Sequence, residues 1–224
     1  MAKISIALPV YGMKNGEEFL RRNLKKLSVQ SFNDFEVVVA DNSDDDKMEK
    51  VCREFKNLNI RHFYNPNKGM AKNSNEAIKQ SKGELIKLLY QDDFMIGNHS
   101  LEKIVASFSK DDYWLVTSCG HTVDGETYER PHYPRWNDEI YKGENTIGAP
   151  SVLTIRNDGP LLFDENLSWL LDCDLYKRYY DKYGAPKILD ELTVVIYQGE
   201  HQTTHLLSDE VKIWERDYLV NKYK

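Results

Sequence analysis

Gly83-Glu-Leu-Ile-Lys-Leu-Leu-Tyr-Gln-Asp-Asp93 carries a short apolar run, Glu84 to Leu89, that ends on two adjacent carboxylates. The run reads as a buried strand. The same unit recurs on both sides of it. Upstream, Lys3 to Leu8 is an apolar run that Pro9 should end. Asn15 and Glu18 have the spacing of a capping box, and Leu20, Leu24 and Leu27 then mark one helical face. Phe35 to Ala40 is β-branched and apolar, a second strand. Ser43 with Asp46 opens a helix whose inner face is Met48, Val51, Cys52 and Phe55. Ile60 to Tyr64 is a third strand, Ala71 to Gln80 is helical, and Gly83 stands where a left-handed helix terminator belongs. Downstream, Leu101, Ile104, Val105 and Phe108 mark a helix, and Tyr113 to Cys119 a strand. Strands alternating with helices predict an α/β fold, a mostly parallel central sheet flanked by helices. Ligands of such sheets bind beyond the carboxyl ends of the strands. The loops after Leu8, Ala40 and Leu89 are therefore the ones to inspect.

The second half is less regular. Gly120 to Gly148 is rich in Tyr, Pro, Trp and charge and reads as a long functional loop or small extension. Its aromatics, Tyr128, Tyr133, Trp136 and Tyr141, suit stacking on a ligand or the packing of an irregular loop. Ser151 to Arg156 and Leu192 to Tyr197 read as strands, Ser168 to Tyr183 as a helix. Val211, Trp214 and Tyr218 suggest a C-terminal amphipathic helix. The expected organisation is one domain over residues 1–224, with a ligand-binding half at 1–119, a second half at 120–205 and a terminal helix at 206–224.

Composition narrows the function. The chain has 224 residues, 41% of them hydrophobic, enough for a core, and a net charge of −6. That balance argues against a nucleic-acid binder, which needs a basic face. Cys52, Cys119 and Cys173 are far apart and form no C-x-x-C pair, so neither a zinc knuckle nor a disulfide framework is expected, and a cytoplasmic setting fits. Neither a signal peptide nor a membrane span is predicted, which leaves peripheral membrane association open.

Four features carry chemistry. Asp92 and Asp93 at a strand end are costly unless something positive meets them. A hard divalent cation is one partner; the cap of the following helix is the other explanation for Asp93. Asp41, before Asn42 and Ser43, can accept a hydrogen bond from a base N–H. Asp44, Asp45 and Asp46 read as acids complementing a helix start. Tyr11, after Pro9 and Val10, can stack on a planar base or be an ordinary half-buried tyrosine. Asp172 lies in the first turn of a helix. It suits either a general base or a dipole-complementing acid. His201 and His205 have a zinc-like spacing, but Gly199 and the Thr203-Thr204 pair argue against a helix there.

Together these features resemble the family 2 glycosyltransferases. The resemblance rests on Ile4-Ser-Ile-Ala-Leu-Pro-Val-Tyr11, Val29-Gln-Ser-Phe-Asn-Asp-Phe-Glu-Val-Val-Val-Ala-Asp-Asn-Ser43, Asn67-Lys-Gly69, Asn75-Glu-Ala-Ile78, Gly83-Glu-Leu-Ile86, Asp92-Asp93, Gly148-Ala-Pro-Ser151 and Leu171-Asp-Cys-Asp-Leu175. It implies the A-type glycosyltransferase fold, a single Rossmann-like nucleotide-binding domain. It implies that Asp41 reads the donor base, with Pro9, Tyr11 and Asn75 also on the nucleotide side. Asp92 is implied at the ribose and metal, Asp93 as the main ligand of Mn²⁺ or Mg²⁺, His201 near the metal or diphosphate, and Asp172 as catalytic base. Three positions depart from the family pattern: Gln91 and Leu171 stand where acids are frequent, and Ala40 replaces a frequent acid before Asp41.

The implied reaction is a single displacement with inversion. A hydroxyl of a glycan, lipid-linked or other acceptor would take the sugar of a UDP- or dTDP-linked donor during polysaccharide biosynthesis. Two rivals are a nucleotidyltransferase acting on sugar phosphates and a non-catalytic nucleotide-sugar binder. Neither gives Asp172 a task.

Overall fold

The computed structural model describes residues 2–224. Its central element is a nine-stranded sheet. In chain order the strands are β1 (Ile4–Val10), β2 (Phe35–Asp41), β3 (Ile60–Tyr64), β4 (Leu85–Leu88), β5 (Phe94–Met95), β6 (Trp114–Thr122), β7 (Glu129–His132), β8 (Leu153–Arg156) and β9 (Lys187–Tyr197). The order across the sheet is β3-β2-β1-β4-β8-β6-β9-β5, with β7 on the side of β6. The β3-β2-β1-β4 block is parallel, as is β6-β9, while β8, β5 and β7 run against their neighbours. The helices are α1 (Gly16–Leu27), α2 (Lys47–Glu54), α3 (Met70–Gln80), α4 (Ser100–Ser107), α5 (Leu171–Tyr183), α6 (Thr203–Leu206) and α7 (Asp209–Tyr223).

The parallel block explains the continuous apolar runs. Ile4, Ile6, Ala7 and Leu8 on β1 and Val37, Val38 and Val39 on β2 are all buried. Strands covered on both faces have no solvent side, so they read as runs rather than alternations. The fold class expected from the sequence is the one present.

Local expectations differ in five places. β1 does not end at Pro9 but continues to Val10, with Pro9 opposite Ala40. The Lys3 and Ala7 carbonyls accept from Leu85 and Leu89 on the β4 side, so the N–H missing at Pro9 would point that way, past the end of β4 at Leu88. No ladder bond is lost. Asn15 precedes α1 in the left-handed region with φ 61° and makes no side-chain cap, so the capping box is not formed. α2 starts at Lys47, later than Ser43, with the Asp45 carboxylate accepting from the Lys47 N–H. Gly83 is not a left-handed terminator. A Cβ there would lie 2.6 Å from the Ser5 nitrogen, so glycine serves the close approach to β1. β9 begins at Lys187, five residues before the expected Leu192, because its first residues, Lys187 to Glu191, mix charged and apolar side chains that are half or fully exposed and show no buried run.

Residues 120–148 hold β7 and a short 3₁₀ turn at Ile140–Lys142. Trp136 stacks flat on Tyr180, centroids 3.7 Å apart, and Tyr141 packs at 5.8 Å from Tyr223. Those two aromatics are packing groups; Tyr128 and Tyr133 remain exposed. Among the described residues no helix is long and apolar enough to cross a membrane.

Candidate active site

A cleft of about 560 Å³ opens at the carboxyl ends of β1, β2 and β4. Pro9 and Tyr11 line it from β1, Asn42 and Ser43 from β2, Asp92 and Asp93 from the loop after β4, and Ile196, Tyr197 and His201 from the end of β9. The sheet draws the strand-end segments together, and Ala149 and Ser168, which lie off it, close the cleft from the second half.

The loop after β4 is wired to α1. The Asn23 side-chain amide donates to the Tyr90 and Asp93 carbonyls at 3.1 and 2.8 Å, and Arg22 donates to the Asp92 carbonyl at 2.7 Å. Gln91, where acids are frequent, donates to the Gly16 carbonyl at 2.8 Å and accepts from the Tyr11 N–H at 3.0 Å. A carboxylate can only accept, so it could not make the first bond. Gln91 therefore links the loops of β1 and β4 through one side chain.

Asp93 is 4% exposed, and its Oδ1 accepts from the Tyr197 N–H at 2.9 Å. Burial and the neighbouring Asp92 push its carboxyl well above the ordinary carboxylate range. Positive charge placed against it would reverse that. Asp92 meets His201, Nε2 to Oδ2 2.9 Å, and the His201 ring packs between Phe19 at 5.0 Å and Tyr197 at 5.5 Å. One or two carboxylates such as Asp92 and Asp93 are what a hard cation takes when it completes its shell with phosphate oxygens and water. They do not make a protein-only cage: among the described residues no three His, Cys, Asp or Glu side chains are arranged to hold a metal. His205 lies on the four-residue α6, a helix not expected there, whereas His201 precedes it, so the pair does not share a helix.

Asp41 sits one residue behind the lining. Its Oδ1 accepts from the Ser43 N–H at 2.8 Å and its Oδ2 faces His62 Nε2 at 2.9 Å. Burial alone would raise its pKa; the bonds from His62 and Ser43 outweigh it and hold the group below the usual range. The carboxylate still has free lone pairs. Tyr11 is 43% exposed at the opening. Asn42, Asn65 and Asn73 knit the ends of β1, β2 and β3 to the start of α3: Asn73 donates to the Val10 and Ala40 carbonyls at 2.9 Å each, and Asn42 to the Asn65 carbonyl at 2.7 Å.

Asp172 stands in the first turn of α5, half-buried, outside the lining proper but between two segments that reach it. Its oxygens accept from the Cys173 N–H at 2.7 Å and the Asn145 amide at 2.8 Å. Burial pushes its carboxyl up to about 6. A carboxylate poised near neutrality is what general-base work requires. Asp174, two residues on, is fully buried, and its carboxylate is held by Arg178, Lys222 and Tyr223.

Asn75 is not brought to the cleft. It accepts from the Phe163 N–H at 2.8 Å and donates to the Phe163 carbonyl at 3.0 Å, which pins the segment before α5 onto α3. The sequence reading passed over other residues that shape the site. Lys68 lines the cleft and bonds the Asn42 carbonyl, the Ser43 carbonyl and Asp44. Its signal was the Asn67-Lys-Gly69 stretch. Arg22 lies 4.8 Å from both the Phe94 and Tyr197 rings beneath the loop after β4. Lys87 is buried in β4, bonds the Ser151 carbonyl, and is pulled down to about 7 by burial.

Comparison with known proteins places this geometry. An uncharacterized glycosyltransferase of Rickettsia typhi is 26% identical over 95% of this chain and 69% of its own length. The poly(ribitol-phosphate) beta-N-acetylglucosaminyltransferase TarS of Staphylococcus aureus is 30% identical over 94% of this chain, but only 38% of TarS is spanned. A crystal structure of TarS 1-349 in complex with UDP-GlcNAc superposes with TM-score 0.71 at 21% identity, over 92% of this chain and 61% of that one. The mannosyltransferase PcManGT from Pyrobaculum calidifontis, in complex with GDP-Man and Mn²⁺, has the same fold at TM-score 0.62 and 13% identity, over 98% of this chain and 62% of that one. Residues 5–168, more than half of the chain, match the sequence model for glycosyl transferase family 2. The chain belongs to that family and is a glycosyltransferase.

Proposed function

We propose that the chain moves a sugar from a UDP- or dTDP-linked donor to a hydroxyl of a glycan, lipid-linked or other acceptor, in polysaccharide or glycan assembly. One observation carries this reading. Asp92, bonded to His201, and Asp93 line the cleft, and a carboxylate poised near neutrality, Asp172, faces Tyr90, which lines the same cleft. The TarS structures with UDP-GlcNAc and with UDP support a nucleotide-sugar donor, and Mn²⁺ in the mannosyltransferase supports a divalent ion.

In this reading Tyr11 and Pro9 flank the base and Asp41 accepts its N–H. Asp93 and Asp92, with His201 beside them, would hold Mn²⁺ or Mg²⁺, which would supply positive charge to the departing diphosphate. Asp172 takes the proton from the acceptor hydroxyl as its oxygen attacks the anomeric carbon. The bond to the diphosphate breaks on the opposite face, which inverts the anomeric configuration; charge at the sugar resembles that of an oxocarbenium ion. The Cys173 N–H and Asn145 fix the direction in which Asp172 presents its lone pairs.

The test is a panel of nucleotide-sugars screened for thermal stabilisation with and without Mn²⁺. A uridine or thymidine diphosphate sugar should stabilise most, and only with the metal. Equal stabilisation by every nucleotide, metal or no metal, would refute the donor reading.

A further inference from the structure

Glu215 is a carboxylate on a terminal helix, yet it is 1% exposed. Its two oxygens point at three consecutive backbone N–H groups. Oε1 accepts from Ser168 at 2.8 Å and Trp169 at 3.2 Å; Oε2 accepts from Trp169 at 2.9 Å and Leu170 at 2.8 Å. These are the residues immediately before α5, whose first turn carries Asp172. The start of a helix has unpaired N–H donors and partial positive charge, and an anion satisfies both. α5 has no side-chain cap of its own, and Glu215, 45–47 residues away, binds the N–H groups of its N-cap residue Leu170 and of the two residues before it. The grip is reinforced nearby: the Arg216 guanidinium lies 5.0 Å from the Trp169 ring, and Lys222 and the Tyr223 hydroxyl hold Asp174. Ser168, one of the three capped residues, lines the cleft.

We propose that Glu215 is a positioning residue that fixes the turn carrying Asp172, so that the terminal helix sets the place of the catalytic base. This rests on the assignment of Asp172 as base. Glu215 touches no substrate. Its carboxylate holds the 168–170 backbone, that backbone holds the first turn of α5, and the turn holds the Asp172 carboxylate against the Cys173 N–H and Asn145. A glutamine at 215 keeps one acceptor oxygen and turns an NH₂ toward N–H donors, so about half the cap is lost without a change of shape.

The test reads Asp172 directly. In nitrogen-labelled protein the Cys173 amide and the Asn145 side-chain amide report its ionisation. The titratable groups facing it are Tyr90, Tyr176 and Cys173, all of which stay neutral in the acidic range. Wild-type signals should inflect near about 6. In Glu215→Gln the loosened turn admits water, and the inflection should move down toward the ordinary carboxylate value, while the Ser43 amide at the far side of the cleft keeps its shift. An unchanged inflection overturns the proposal.

A second arm uses single-turnover hydrolysis of UDP-N-acetylglucosamine with Mn²⁺. Glu215→Gln should slow the step by about tenfold or more, as for a displaced base, with UDP–Mn²⁺ affinity unchanged. Added to Asp172→Asn, it should slow the reaction little further, because both changes act through one group. Full multiplication of the two effects overturns the proposal. Asp172→Asn at the wild-type rate overturns the base assignment itself; Asp172→Asn slow with Glu215→Gln unaffected overturns only the positioning role. Ile213→Ala, exposed on the same helix, is the control and should match wild type. If Glu215→Gln does not fold, Glu215→Asp takes its place in both arms. If neither folds, Glu215 is a determinant of the whole fold and the positioning claim falls.

Discussion

The two halves of this molecule build their share of the cleft by different means. Residues 1–119 supply Pro9, Tyr11, Asp92 and Asp93 to the lining from the ends of parallel strands, with Asp41 just behind it, and their loops are tied to one another within this half by α1 and the asparagine cluster. Residues 120–224 put His201 in the lining and Asp172 outside it, through segments that have no regular repeat; Glu215 holds the turn before α5 and Asp92 holds His201. The lesson is that strand ends come with the sheet, whereas the turn before α5 has to be clamped. In the proposed account the first half binds donor and the second half carries the chemistry, so substitutions in the two halves should have separable effects.

The largest separation is expected at Asp172. Asp172→Asn keeps the shape and removes the basicity. Turnover should fall by ~10²–10⁴, while donor and metal affinity stay near wild type, since a base contributes to the transition state and little to ground-state binding. Single-turnover rates beside calorimetric donor binding check this; a parallel loss of affinity would blur the division. Asp174→Asn is a poor control for this experiment despite its nearness. Its carboxylate is the anchor for Arg178, Lys222 and Tyr223, so its loss should lower thermal stability rather than report on chemistry.

The reverse pattern is expected at Asp41. Asp41→Ala should weaken UDP binding by about 1.5–3 kcal/mol, the range for a charge-assisted hydrogen bond, and leave the rate of the bound donor nearly unchanged. His62→Ala should reproduce part of the loss, because it removes the bond that orients Asp41. Calorimetry on both variants decides the matter: UDP affinity untouched in Asp41→Ala would move base recognition to other groups, with Asn42 and Ser43 the nearest.

A smaller effect is expected from pH. A base works deprotonated, and burial raises the Asp172 carboxyl to about 6. Turnover should therefore be full above that value and fall as pH drops through it, by at most about tenfold per unit. In Asp172→Asn this acidic limb should vanish. A limb of the same position in the variant would assign it to another group.

How much of this could be read in the sequence follows the same division. Glu84 to Leu89 ending on Asp92-Asp93, and Phe35 to Ala40 ending on Asp41, are local patterns, and the rule that ligands sit at strand carboxyl ends does the rest. Asp172 was singled out because its stretch carries a family pattern. The same kind of signal singled out Asn75. It lies in a recognisable stretch, but its side chain turns to Phe163, and no local periodicity shows which way a buried asparagine points. Glu215, Arg22 and His62 left no signal at all. Each acts on a partner set by tertiary structure, as with Glu215 and Ser168, 47 residues apart. Pro9 and Gly83 were read by their local habits, yet their roles depend on where β4 ends and how closely β1 passes.

The central claim is that this cleft consumes a nucleotide-sugar through a divalent cation. Its most direct test is release of nucleoside diphosphate from a panel of nucleotide-sugars, measured with Mn²⁺ or Mg²⁺ and again in excess chelator, on wild type and Asp93→Ala. The account predicts turnover of a UDP- or dTDP-sugar that stops in chelator and is absent from Asp93→Ala under either condition. Full activity in excess chelator, or an Asp93→Ala protein as active as wild type, would contradict it.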